Sequence, residues 1–345
     1  MVIHTLRRVS VFQGLDCNVY GGHSKFCVVC ERDNSTSLRF YTISPDGNLV
    51  HEFSVNSPGH PITGFMWHST DPSIFFTQTN GGIVTCHCII EAEKTVEPIG
   101  TIDIGEDFKS FTLNSDGTKM VVVSNDAETA RLYKLCQSED GSMTFELDGS
   151  TGFDEMQITS VEFIGDNIIA YGLNDGSIHI EEIGKGGQIV HIDLNLGEIL
   201  AIRCSPDANF FAVSAEYGLS IYRVNTERFD FRLIREFFDD DEDDLKRTLG
   251  SLEWNASLPL LVGTFVKESS GVYGMSKIMF LSVSDFGVNQ LHSHTFMNAS
   301  LCGIFLHPKL PFAICGYYGA IKGEVLEVNF QDVHDVKFFA STRST

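Results

Sequence analysis

Two short cysteine motifs are the first places where this sequence could do chemistry. Cys27-Val-Val-Cys30 has the gap of a zinc knuckle or a redox pair. It lies in a strand-like run from Phe26 to Cys30, where residues three apart point to opposite faces. Cys86-His-Cys88 puts two thiols on one face of a strand and the histidine on the other, so a tetrahedral metal site would need ligands from elsewhere. His292-Ser-His294 alternates in the same way, and a metal reading is again the weaker one. Gly184-Lys-Gly-Gly187 lacks the long glycine loop and following helix that cradle a nucleotide phosphate, and reads as a tight turn. Nucleophile elbows, metalloprotease helices and phosphate loops do not occur. These residues predict no catalytic centre, no metal and no cofactor.

The most unusual segment is a run of six acids, Asp239, Asp240, Asp241, Glu242, Asp243 and Asp244, followed by Lys246 and Arg247. Six like charges repel one another in a packed strand, so the run is expected in a solvated loop. It either merely solvates a connection or docks a basic segment, because clustered acids raise the local cation concentration and speed encounter. A second insertion, Lys267 to Lys277, is expected to lengthen a turn on the same rim, with Tyr273 and Met275 as apolar anchors for a partner.

Acidity is general. Forty-six Asp and Glu against twenty-four Lys and Arg give a net charge of −22 over 345 residues, and removing the six-acid run would still leave −16. Such a chain does not suit a duplex-DNA reader that neutralises phosphates with a basic face, and basic protein partners are expected instead. With 43% hydrophobic residues the sequence can build a substantial core. No apolar run approaches the roughly 18 residues of a membrane span, and the first eight residues do not read as a signal peptide. Nine cysteines, scattered through apolar strand-like segments, fit a reducing compartment without disulfides, so an intracellular protein of cytoplasm or nucleus is expected.

These residues must be positioned by strands. Helical periodicity is nearly absent, while short runs rich in Val, Ile, Phe and Tyr recur between Asn-Gly, Asp-Gly and Pro-Asp turns. They repeat with a unit of three apolar strands separated by two turns. The clearest copy runs Ile158–Phe163, Ile168–Tyr171 and Ser177–Ile183. The residue before the first turn marks each copy: Tyr20, Trp67, Leu113, Phe163, Cys204, Trp254 and Leu306, spaced by 47, 46, 50, 41, 50 and 52 residues. Fourth strands lie between the copies, as in Leu49–Val55, Ile99–Ile104, Gln188–Leu194, Arg232–Phe237 and Gln290–Phe296. A period of about 40 to 50 residues is that of a propeller blade.

The expected fold is therefore all-β, a single seven-bladed β-propeller. Its blades are placed near 11–55, 61–104, 108–148, 157–194, 198–237, 248–296 and 299–330, the last completed by 2–9, with 331–345 as a C-terminal tail. The N-terminal segment from Val2 to Val9 is expected to supply the last strand of the seventh blade and remove an exposed edge, in competition with Val333 to Phe339.

In this layout the chain resembles the WD-repeat β-propeller family, although no repeat ends in Trp-Asp and Gly22-His23 and Gly59-His60 are its only Gly-His pairs. The hydrogen-bonded His, Asp, Ser/Thr and Trp tetrad of that family is not complete in any repeat, so stability is expected from apolar packing between blades. Asn114-Ser-Asp-Gly-Thr-Lys-Met120, Leu301-Cys-Gly-Ile-Phe-Leu-His-Pro308 and the layout of Phe211 to Arg223 are also similar to the N-terminal propeller of the acidic nucleoplasmic DNA-binding protein family, replisome adaptors. That family's second propeller and terminal DNA-binding box are missing from this sequence.

The resemblance implies a non-enzymatic scaffold or adaptor that binds other proteins. A chromatin or replisome setting competes with coat, nuclear-pore and ubiquitin-ligase adaptors. A propeller enzyme of the lactonase type is the alternative class, for which His68, Asn114, Arg203 and His307 beside the first-strand turns are the residues to inspect.

Overall fold

The computed structural model describes residues 2–13, 17–20, 26–31, 36–56, 60–105, 108–153, 155–184, 187–238, 247–269, 272–296, 300–309, 312–318 and 322–331. Among them every regular element is a strand, and the 28 strands form seven antiparallel four-stranded sheets. The first blade holds β2 (Cys17–Tyr20), β3 (Cys27–Glu31), β4 (Ser37–Ile43) and β5 (Leu49–Asn56). The second holds β6 (Ile62–Trp67), β7 (Ile74–Thr79), β8 (Ile83–Ile90) and β9 (Thr95–Asp103), and the third β10 (Phe108–Leu113), β11 (Lys119–Ser124), β12 (Thr129–Gln137) and β13 (Met143–Gly152). The fourth holds β14 (Ile158–Ile164), β15 (Ile168–Leu173), β16 (Ser177–Glu182) and β17 (Ile189–Asp193), and the fifth β18 (Ile199–Cys204), β19 (Phe210–Ala215), β20 (Gly218–Asn225) and β21 (Asp230–Phe238). The sixth holds β22 (Arg247–Trp254), β23 (Leu260–Ser269), β24 (Val272–Ser284) and β25 (Gly287–Phe296). The seventh joins β26 (Ser300–Leu306), β27 (Phe312–Tyr318) and β28 (Lys322–Gln331) to the N-terminal β1 (Val2–Gln13).

The N-terminal strand thus closes the ring. It pairs antiparallel with β28 from Val2 opposite Gln331 to Gln13 opposite Lys322. The competing segment, Val333 to Phe339, lies outside the described residues, as does the tail from 332 onward. The first strands of neighbouring blades lie beside one another around a central channel, and the fourth strands face outward. Turns from first to second and from third to fourth strands make the lower face. Turns from second to third strands, and the connections between blades, make the upper face.

Seven apolar clusters hold the ring, one in each interface between blades. The second strands β7, β15 and β19 are buried along their full length, because side chains on both faces meet a neighbouring blade. In β19, Phe211 joins the cluster shared with the fourth blade and Phe210 the one shared with the sixth. The interface of the first two blades is the most aromatic. Phe40 stacks on Phe53 at 4.6 Å, and Trp67 meets Phe65 edge-on at 5.2 Å. The ring closure itself is sealed by Cys27, Val29 and Ile43 packed with Phe305, Phe312, Ile314 and Val325.

One expectation is corrected. Lys267 to Lys277 is not a long turn. β23 continues to Ser269 and β24 begins at Val272, with Lys267 paired to Met275 and Ser269 to Val272. The added residues alternate in the pairing register of the hairpin, so the insertion lengthens two strands. The six-acid run from Asp239 to Asp244 lies outside the described residues, in the connection from β21 to β22.

Candidate functional site

Of the sequence motifs that could carry chemistry, Cys27 and Cys86 are taken into the core. Cys27 is buried in the ring-closing cluster, on a strand whose other end carries Cys30. Cys86 is fully buried in the cluster between the second and third blades, and burial pushes its thiol up to about 12. His87, between the two thiols, stacks on Phe75 at 4.8 Å and pairs its Nε2 with the Thr77 hydroxyl at 2.8 Å, and burial holds it down to about 4. His292 and His294 lie on β25 opposite Phe280 and Ile278. Gly184 and Gly187 both have positive φ and flank the tight connection from β16 to β17. Among the described residues no group of three or more His, Cys, Asp or Glu is placed to hold a metal ion.

His68, Asn114 and His307 follow the marker residues, and their side chains cap the lower-face turns. The Nδ1 of His68 accepts the N–H groups of Asp71 at 3.1 Å and Thr70 at 3.2 Å, and the Nδ1 of His307 accepts that of Lys309 at 3.1 Å. The Oδ1 of Asn114 accepts the N–H of Lys119 at 2.8 Å, and Asn255 and Ser205 do the same work in their blades. Burial lowers the pKa of both histidines, in keeping with neutral rings that accept at Nδ1. Neighbouring turns are bolted together: Asn114 Nδ2 donates to the carbonyl of Asp166 at 3.2 Å, and Asn255 Nδ2 to that of His307 at 3.3 Å.

Arg203, the fourth residue singled out for inspection, belongs to a different arrangement. Glu162 on β14, Arg203 on β18 and Glu253 on β22 each stand one residue before a marker, and three successive first strands bring them to the lower mouth of the channel. Arg203 NH1 lies 3.6 Å from Glu162 Oε2 and donates to the carbonyl of Ile202 at 2.8 Å. Glu162 Oε1 accepts the N–H of Cys204 at 3.2 Å, and the Thr112 hydroxyl also serves this carboxylate. Burial still raises the Glu162 pKa. Glu253 is half-buried, and burial pushes it up to about 7 against the through-space pull of Arg203. The sequence reading named Arg203 alone. The signal for the others was their shared position, one residue before Phe163 and Trp254 in the repeat.

On the upper rim of the sixth blade, Arg247 pairs with Lys267, which pairs with Met275. The start of β22, just after the acidic run, is thereby set two strands from Met275 on one hairpin. On the lower face the turn from β24 to β25 carries Phe286, which is 98% exposed, and Arg223 of the fifth blade pairs with Asp285 beside it at 3.1 Å.

The chain superposes on the β-propeller domain of Cps50 (Swd1) from Myceliophteria thermophila with a TM-score of 0.71, covering 94% of this chain and 100% of that one. The fold is a seven-bladed β-propeller. Identity between the two is 9%, so the likeness is one of fold alone. In all, 1367 solved chains match, and a fold shared that widely does not fix a function. No known protein family and no curated protein matches this chain in sequence.

Proposed function

We propose that this propeller is a non-enzymatic interaction scaffold, intracellular, whose partners present basic segments to the upper rim of its sixth blade. The observation that carries the reading is the register of the extended hairpin. It sets the backbone of Met275 level with that of Arg247, where the connection containing Asp239, Asp240, Asp241, Glu242, Asp243 and Asp244 enters β22, with Tyr273 two residues away on the same strand. Acids that attract a cationic segment, beside apolar side chains that anchor it, make a surface of steering and contact together. The net charge of −22 favours such partners over a nucleic-acid backbone. The turn-capping roles of His68, Asn114 and His307 support a scaffold over a lactonase-like site.

The test is affinity capture from native extract at low and moderate salt, comparing the wild type with a variant whose six acids are replaced by Asn and Gln. Partners retained by the wild type and lost by the variant, most strongly at low salt, support the reading. Unchanged capture removes the acidic dock. Replication-fork or histone partners place the scaffold at chromatin; coat, pore or ubiquitin-ligase subunits place it in those assemblies.

A further inference from the structure

The outer seam between the fifth and sixth blades departs in charge from the rest of the chain. β21 and β25 run beside one another there. Arg223 on β20 pairs with Phe210, and on β21 Arg232 pairs with Arg223 and Arg235 with Ile221. Phe210 and Ile221 belong to the apolar cluster shared with the sixth blade, so all three arginines lie on the face turned toward that blade. Each is exposed. Arg223 reaches Asp285 in the turn of the sixth blade at 3.1 Å, and the Arg235 guanidinium lies 5.4 Å from the centre of the Phe237 ring, but neither Arg232 nor Arg235 has an ion pair among the described residues. Like charges directly opposite on paired strands repel, and Asp285 answers only one of the two. From the sixth blade Lys277 stands on the same side of β24 as Met279, which belongs to that cluster, and Gln290, Ser293 and Thr295 on β25 are uncharged. Among the described residues of the seam Arg223, Arg232, Arg235 and Lys277 therefore meet only Asp230 and Asp285, in a chain whose net charge is −22. Phe286, next to Asp285, is 98% exposed, although a hairpin turn calls for no aromatic residue.

We propose that this seam docks an acidic segment of a partner protein, whose carboxylates pair with Arg232 and Arg235 and whose apolar side chain packs on Phe286. A guanidinium donates two parallel N–H bonds to a carboxylate, and Arg235, laid over Phe237, is already ordered, so it loses less freedom on binding. Arg232 and Arg235 are three positions apart on one strand, roughly 10 Å, so an extended segment with acids three apart meets both. Phe286 supplies the contact area that ion pairs at the surface lack. A nucleic acid would carry its phosphates beyond the seam into the field of a chain at −22, whereas a short acidic segment ends within it. The site lies on the outer wall toward the lower face and stands independently of the contact proposed at the upper rim of the sixth blade. The two recognise opposite charges.

The experiment is a nuclear magnetic resonance titration of the full chain, methyl-labelled to follow Ile221, Ile234 and Val288 along the seam. The probes are the blocked peptide Gly-Leu-Glu-Asp-Ser-Glu-Asp-Gly, its counterpart with Gln and Asn for the acids, its counterpart with Ala for Leu, and a short oligothymidylate. The acidic peptide is expected to shift these methyls saturably and to weaken as salt is raised, with the amide counterpart about tenfold or more weaker. Arg232→Gln and Arg235→Gln together should weaken the acidic peptide by about tenfold or more and flatten its salt dependence. Phe286→Ser should weaken the leucine peptide by about threefold or more and leave the alanine peptide unchanged. Lys94→Gln removes an exposed cation from the second blade and should leave the affinity in place. All these positions are exposed, and a native methyl spectrum checks that each variant is folded. The proposal is overturned if the amide counterpart binds equally, if the double arginine variant or Phe286→Ser binds the leucine peptide as tightly as the wild type, if Lys94→Gln weakens binding as much, if the oligothymidylate shifts the same methyls at lower concentration than the acidic peptide, or if no peptide gives a saturable shift.

Discussion

The indole of Trp254 donates to the carbonyl of Arg203 on the neighbouring blade at 3.0 Å, whereas Trp67, at the same position in its own repeat, has no acceptor for its buried Nε1 among the described residues. Both rings are nearly fully buried. The two tryptophans therefore fill the same kind of space, but only one ties blades together through a hydrogen bond.

Replacing either tryptophan with Ala should cost about 3 to 5 kcal/mol through the cavity left behind. Phenylalanine separates the two roles. Trp254→Phe should lose about 1 kcal/mol more than Trp67→Phe, since only the first gives up a bond and the second removes an unsatisfied donor. Urea unfolding of the four variants measures this, and equal losses for the two Phe variants would refute the distinction.

Acid and alkaline limits of stability should have different owners. Burial lowers the pKa of His179, whose two ring nitrogens have no hydrogen-bond partner among the described residues, so its contribution is fully present above about 6.5 and is lost as the pH falls. Glu253 runs the other way. Its pKa in the fold is raised from 4.5 to about 7, so its contribution is fully present below 4.5 and lost as the pH rises through 7. Glu253→Gln should then stabilise the ring by about 2 kcal/mol near pH 8, after discounting for the solvent that still reaches the carboxyl. His179→Phe should flatten only the acid limb, and unfolding curves across pH that shift together in both variants would contradict this.

Gly117 has a φ of +76°, and a Cβ there would come within 2.1 Å of the His68 ring. Gly105, with a φ of +82°, has open space around it. Gly117→Ala should cost about 2 to 4 kcal/mol and Gly105→Ala about 1 kcal/mol, the excess measuring how firmly the caps of the second and third blades are pressed together. Thermal unfolding of the pair gives the comparison, and a cost at Gly105 equal to that at Gly117 would show backbone strain alone to be responsible.

Deleting residues 2–13 should leave the edge of β28 unpaired and produce a soluble fraction that associates at high concentration. Adding the synthetic strand back should restore the monodisperse species in sedimentation velocity. A truncated chain that behaves as the full one would show that pairing with β1 contributes little.

The blade pattern was legible because each marker stands at or next to the end of a first strand, where an apolar residue meets a neighbouring blade and a polar turn follows. The closing strand was legible because Val2 to Val9 had no preceding repeat to serve. The start of β9 was not, since Pro98 breaks the apolar pattern; on an outer strand the missing N–H deprives no neighbour. The hairpin of the sixth blade was misread because Gly271, Gly274 and three serines look like a turn, while cross-strand pairing holds most of them extended. The trio of Glu162, Arg203 and Glu253 escaped because its members are about 40 to 50 residues apart in sequence, the spacing of blades, and meet only when the ring forms.

Among the described strands, the one that closes the ring is made before the other 27, and its partner β28 after them. Until synthesis has passed Gln331, β1 lacks its full pairing partner and the cluster around Phe305 and Ile314 lacks part of its wall. Up to that point the propeller is an unsealed arc, and its ring is completed by a long-range pairing that is slow by nature. Two sheet edges stay open for the whole of that interval, so the way the circle is fastened leaves the unfinished ring prone to associate with other chains.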